Sequence, residues 1–251
     1  MMRITETVKQ LIIINIIFFI GTYIIGAELA YNYLALFYPE TESFKPWQII
    51  THMFMHGGIS HILFNMFGLW MFGTQLEQIW GPKKFLFFYI SCGLGAAALH
   101  TGVNYYSYHH AINILVENGV DKAEIVAMLR KGLGSEQWNN YLSEGTLSNL
   151  KNVFSPVLGA SGAIYGIIVA YAFMFPNAEL MLIFFPMPIK AKYFVPGLLA
   201  IDLFLGLKGQ SIFGSRWDDG VAHFAHLGGA LIGFIMMWYW KKNQFNKNRW
   251  D

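Results

Sequence analysis

GASGAIYGIIVAYAFMF, residues 159–175, is the stretch on which the reading of this chain turns. Gly159-Ala160-Ser161-Gly162 places a serine at the head of an apolar helix expected from about Ser161 to Phe175. Glycines on both sides of it let other backbones come close, and Pro176 stops the helix. By itself a GxSG tetrapeptide carries little weight. It gains weight because two other apolar segments hold polar residues at their corresponding ends: His56, His61 and Asn65 on one, His226 on the other.

Composition fixes the solvent. Apolar residues make up 55% of the 251, charged residues only 13%, and there are 22 Phe. That charged share is roughly half of what soluble domains carry, and the mean hydropathy is +0.41. The expected class is an all-α, polytopic membrane protein. A net charge of +2, with the basic residues near segment ends, does not suggest nucleic acid as a partner. The single cysteine, Cys92, lies in an apolar run, so no intrachain disulfide can form.

Six spans are expected, beginning with about Val8 to Ala27. That run is longer than the ~7–15 residues of a signal-peptide core, so it reads as a retained span, although removal as a signal is the competing reading. The loop from Glu28 to Thr51 suits an interface. Segment two covers about Ile59 to Gln75 and segment three about Phe85 to Gly102. Residues 104–154 are polar and read as an extramembrane insertion on the bilayer surface. In it, Asp121-Lys122-Ala123-Glu124 is a capping box, Ile125, Met128 and Leu129 follow at helical spacing, and Gly132 is placed to end the turn. Trp138, Tyr141 and Leu142 mark a second short amphipathic piece. After segment four, Leu180 to Pro188 is broken by Pro186 and Pro188 and is expected at the interface. Segments five and six run from about Tyr193 to Leu207 and Val221 to Trp240. As domains, residues 1–45 hold the first span and the start of the outer loop, 46–242 a core, and 243–251 a basic tail.

Orientation follows from lysine and arginine. With both termini cytoplasmic, the inside holds Arg3, Lys9, Lys83, Lys84, Lys190, Lys192, Lys241, Lys242, Lys247 and Arg249, and most acids fall outside. Segments two, four and six then all start at the outer face, which brings His56, His61, Asn65, Ser161 and His226 to one side. Gly162, Gly166 and Ala170 recur at four-residue spacing on segment four. Gly229 and Gly233 do so on segment six, with His226 on the same face. Two such small-residue stripes bring membrane helices to contact distance.

These residues resemble the rhomboid family of intramembrane serine proteases. The likeness is carried by His56-Gly57-Gly58-Ile59-Ser60-His61-Ile62-Leu63-Phe64-Asn65, by Gly159-Ala160-Ser161-Gly162 with Tyr165, and by Ala225-His226-Leu227-Gly228-Gly229 with Gly233. It implies a six-helix rhomboid fold with the insertion between helices three and four. It also implies a Ser161 nucleophile and a His226 general base, a dyad without an aspartate. Tyr165 would pack on the imidazole. His56, Asn65 and the Ser161 amide would bind the oxyanion, His61 would be structural, and Glu77 matches a glutamate at the inner end of segment two. Where many members have Trp-Arg, this chain has Trp47-Gln48. The family further implies membrane proteins with one transmembrane helix as substrates, no metal or other cofactor, and, for this chain, a bacterial cytoplasmic membrane.

A serine hydroxyl becomes a nucleophile only when a base takes its proton, which neutral His226 can do near pH 7. Three alternatives stand beside this. A non-proteolytic rhomboid-like protein would bind and escort membrane clients, and a transporter would line its path with the same polar residues. His52, His56 and His61 could also form a metal site. The sequence gives Asp202 no role, and reads His109, His110 and His223 as solvated or structural.

Overall fold

The computed structural model describes residues 3–182, 185–208 and 223–243. The expected loop after segment five, with Asp218 and Asp219, the start of segment six at Val221, and the tail beyond residue 243 lie outside them. The described chain is mostly helical. Two helices are long and apolar enough to cross a bilayer by length and composition, α1 (Glu6–Ile25, mean hydropathy 2.0) and α6 (Pro82–Glu117, 1.5), and Ser161–Met174 is a shorter apolar helix.

Helix α1 is anchored from below. Glu77 is buried and its carboxylate accepts the amides of Thr7 and Val8, both at 2.9 Å, and the Thr5 hydroxyl at 2.5 Å. A carboxylate at a helix start satisfies amides that have no partner within the helix and meets the positive end of its dipole. A short helix, α2 (Ala27–Leu34), follows, then α3 (Gln48–Thr51). Segment two is not one regular helix. It comprises α4 (Ile59–Gly68), one π turn (Leu69–Gly73) and α5 (Thr74–Trp80). A Cβ on Gly73 would sit 3.1 Å from Phe85 and 3.2 Å from Val8, so the chain is tightly packed where it widens. Gly81, at φ +78°, then turns it into Pro82 at the head of α6.

The expectation that segment three ends at Gly102 needs correction, since α6 continues to Glu117. No proline lies between Gly102 and Gly119, and one internal glycine costs a helix only ~1 kcal/mol. At ~1.5 Å per residue this rod is about 54 Å long. Of the expected insertion 104–154, residues 104–117 lie in the far half of this helix and the rest folds on it. Asp121 caps α7 (Lys122–Arg130) by accepting the Glu124 amide at 3.0 Å, and α8 (Glu144–Val153) starts behind Ser143. Ile125, Leu129, Trp138, Leu142, Leu150 and Val153 bury themselves against Tyr108, Ile112 and Leu115, a hydrophobic core separate from the main one.

The first loop is tied to this lobe. Leu36 and Val157 exchange both backbone bonds at 2.8 Å. Tyr38 donates to Glu40 at 2.8 Å, and the His109 ring bonds the same carboxylate oxygen at 2.9 Å. Burial and that carboxylate push the Tyr38 phenol well above its usual range, so it remains a donor. Gln48, fully buried, holds the loop from inside. Its Nε2 donates to the carbonyls of Asn32 and Ser43, and its Oε1 accepts the amides of Phe37 and Lys45.

After α9 (Ser161–Met174) the expected irregular stretch is an antiparallel hairpin, β1 (Glu179–Leu182) with β2 (Phe185–Lys190), pairing Glu179 with Lys190 and Leu180 with Ile189. This departs from an all-α fold. A two-stranded ribbon consists only of edges, where the missing amides of Pro186 and Pro188 are tolerated. Helices α10 (Ala191–Lys208) and α11 (His223–Asn243) complete the described chain.

Candidate active site

Small residues let three helices meet. A Cβ on Gly166 would lie 2.9 Å from the Gly229 carbonyl oxygen, and one on Gly233 would lie 2.8 Å from Gly166 Cα. A Cβ on Gly229 would collide with the Gly162 carbonyl, and one on Gly162 with Ala96 of α6. Backbone therefore rests on backbone where α9 crosses α11, and Cys92 of α6 fills the space beside Gly166.

That closeness lets two side chains from different helices bond. Ser161 opens α9, and His226 stands one turn into α11. The Ser161 hydroxyl lies 2.9 Å from His226 Nε2. Tyr165, one turn after Ser161 on the same face, stacks on the imidazole with centroids 4.2 Å apart and planes 12° from parallel. The preceding loop is held from beneath. The Gly159 amide donates to the His52 carbonyl at 2.9 Å. Gly159 has φ +125°, and a Cβ there would come within 2.8 Å of His61 Nε2, so conformation and space both require glycine.

His61 accepts the Gly57 amide on Nδ1 at 3.3 Å, and its ring meets His56 edge-on with centroids 5.0 Å apart. His56 is fully buried, as is most of Asn65, one turn beyond His61 on α4. Neither ring nitrogen of His56, nor Asn65 Nδ2, has a protein hydrogen-bond partner among the described residues. Buried donors of this kind are uncommon in folded proteins.

The expectation of an imidazole without a carboxylate partner is corrected. Asp202 of α10 is 95% buried, and its Oδ2 lies 3.2 Å from His226 Nδ1. With Nδ1 carrying the proton toward the carboxylate, Nε2 is left as an acceptor for the serine hydroxyl. His223, read from sequence as solvated or structural, is buried and its Nδ1 lies 2.5 Å from Asp202 Oδ1. An acid inside an apolar segment was the available signal. Its partners were hidden because they stand on a different helix, 21 and 24 residues further along the chain. His109 pairs with Glu40, and His110 stacks on Tyr106.

Asp202, His223 and His226 each offer one ligand atom within 4.8 Å of the others, the one group of at least three such residues found among the described residues. A metal there would have to displace the Nδ1 protons of both imidazoles. The alternative His52, His56 and His61 site is not assembled, and His52 Nδ1 bonds the Gln48 carbonyl at 2.8 Å instead.

The folded chain is a helical membrane protein with a serine, an imidazole and a carboxylate in series between three helices. A profile described as Rhomboid domain matches residues 43–243, and the chain belongs to the rhomboid family. It is 27% identical to RHOMBOID-like protein 12, mitochondrial, of Arabidopsis thaliana, over 96% of this chain and 60% of that protein. Rhomboid protein 1, mitochondrial, of Saccharomyces cerevisiae is 25% identical over 77% of this chain and 42% of its own length. Presenilin-associated rhomboid-like protein, mitochondrial, of Homo sapiens is 28% identical over 74% and 35%. The chain thus spans about 60% of the first relative's length and less than half of the other two.

Proposed function

We propose that this protein is an intramembrane serine protease that hydrolyses peptide bonds in or near the transmembrane segment of single-span membrane proteins. The observation that carries the reading is the 2.9 Å contact between Ser161 Oγ and His226 Nε2, on an imidazole held by both Tyr165 and Asp202.

In the proposed mechanism Ser161 attacks the scissile carbonyl as His226 Nε2 takes its proton. Asp202 holds the imidazole in the useful tautomer and stabilises the imidazolium that forms. The tetrahedral oxyanion accepts from the Ser161 amide at the head of α9, from Asn65 Nδ2 and from His56, donors fixed before the charge appears. Imidazolium returns its proton to the leaving amine. Water, activated by the same base, then releases the acyl group.

In this reading the spans are α1, in residues 1–45, and then the α4–α5 pair, the first half of α6, α9, α10 and α11, in a core of 46–242. The 104–154 lobe stands outside the bilayer on the side of Ser161, and both termini face the cytoplasm or its topological equivalent. The named relatives are all mitochondrial, so the expected bacterial cytoplasmic membrane draws no support from them.

The test is fluorophosphonate labelling of the purified protein in detergent. Labelling of the wild type that disappears in both Ser161→Ala and His226→Ala is expected. Its absence in the wild type would favour a client-binding role without proteolysis. Asn65→Ala is expected to slow labelling without abolishing it, since one oxyanion donor is worth ~2.7–4 kcal/mol.

A further inference from the structure

We propose that His223 is a positioning residue for the reaction, acting through Asp202; the inference rests on the protease reading. Asp202 is shared. One carboxylate oxygen faces His226 Nδ1 at 3.2 Å, and the other faces His223 Nδ1 at 2.5 Å. The Tyr165 phenol, from α9, also lies beside it. Asp202 and His223 are both over nine-tenths buried, and a carboxylate with no water around it needs a donor on each oxygen.

The geometry gives the second imidazole a specific task. Without His223 the carboxylate keeps only its contacts with His226 and the Tyr165 phenol, and it is freer to rotate about Cβ–Cγ, a torsion with a broad energy minimum. His223, one helical turn before His226 on α11, fixes that rotation and so aims Oδ2 at the base. Because Nδ1 of each ring faces the carboxylate, the pair also stays in the tautomer that leaves His226 Nε2 open toward Ser161. Deleting His223 should therefore loosen Asp202 and blur the tautomer of His226 without touching the serine.

A second possibility is that the His223–Asp202 bond merely fastens α10 to α11. A double-mutant cycle of labelling rates read beside the unfolding midpoints separates the two, since a rate loss that only follows a fall in the midpoint marks fastening and overturns the proposal. Fluorophosphonate labelling rates would be measured on the purified full chain for wild type, His223→Leu, His223→Asn, Asp202→Asn and the Asp202→Asn/His223→Leu pair, with the unfolding midpoint of each. Residues acting as one unit give non-additive losses. We expect His223→Leu to slow labelling roughly tenfold, in the range of such couplings, and to cost nothing further once Asp202 is Asn. Asn Nδ2 occupies nearly the place of His Nδ1, so His223→Asn is expected to restore most of the rate. Equal losses from His223→Leu in both backgrounds, or an unchanged rate, would overturn the proposal, as would an Asn variant as slow as the Leu variant. A wild type that does not label at all would overturn the protease reading and this proposal together. Normal wild-type labelling with indifferent His223 variants would overturn this proposal alone.

Discussion

Asp202 Oδ2 lies 3.2 Å from His226 Nδ1, on the side of the imidazole away from Ser161. This relationship joins α10 to the contact that α9 and α11 make, and it gives the His226 imidazole a carboxylate partner.

Replacing Asp202 with Asn keeps the shape and removes the charge. An amide can also present its NH2 to Nδ1, which favours the wrong tautomer of the base. Labelling is expected to slow by roughly a hundredfold or more, by analogy with the ~10⁴ loss of the chymotrypsin-type aspartate-to-asparagine change, while the unfolding midpoint moves little. Unchanged labelling would show that Asp202 does not orient the base.

The stack of Tyr165 on His226, at 4.2 Å, predicts a split between two variants. Tyr165→Phe keeps the ring and loses only the phenol's contact with Asp202, so it should slow labelling less than Tyr165→Ala. Tyr165→Ala removes the ring and should slow labelling by about two- to tenfold, since such ring pairs are worth ~0.5–1.5 kcal/mol.

A Cβ on Gly229 has nowhere to go except into the Gly162 carbonyl. Gly229→Ala should separate α9 from α11, destabilise the protein by about 1–3 kcal/mol, and lose labelling even where the protein stays folded. Gly197→Ala, whose Cβ meets nothing within 4 Å, should leave both unchanged.

Glu77 accepts three hydrogen bonds at the start of α1. Glu77→Ala leaves buried amides unpaired and is expected to cost about 1–3 kcal/mol per buried group left without a partner, lowering the unfolding midpoint. Labelling per folded molecule should persist, because Glu77 lies far along segment two from His56.

Trp138, 97% buried, belongs to the core of the 104–154 lobe. Trp138→Ala is expected to cost ~3–5 kcal/mol locally. In limited proteolysis, cuts should appear in 118–154 before any elsewhere. Simultaneous cutting throughout would mean that the lobe is not a separate core.

Much of the arrangement around Ser161 and His226 could be read from the chain because its pattern is local. A serine at a helix head, a tyrosine one turn on and glycines every fourth residue are periodic facts, and periodicity survives folding. The same holds for Asp121, whose capping bond forms within three residues. What stayed hidden depended on distant partners. Asp202 and His223 meet from two helices 21 residues apart in the chain, and Gln48 serves carbonyls and amides from Asn32 to Lys45. The hairpin at 179–190 was hidden for a different reason, since prolines argue against a central strand but not against an edge. Gly102 misled because glycine weakens a helix without stopping it.

Helix α6 is one uninterrupted rod, and it has no joint between the lobe at Leu115 and the crossing at Ala96. Its lower part touches Gly162, the neighbour of Ser161, and its upper part carries Tyr108 and Ile112 in the lobe. One continuous helix thus carries both the residues that core the lobe and Ala96, which packs against the residue next to Ser161, so the lobe and the helix crossing share a single backbone element.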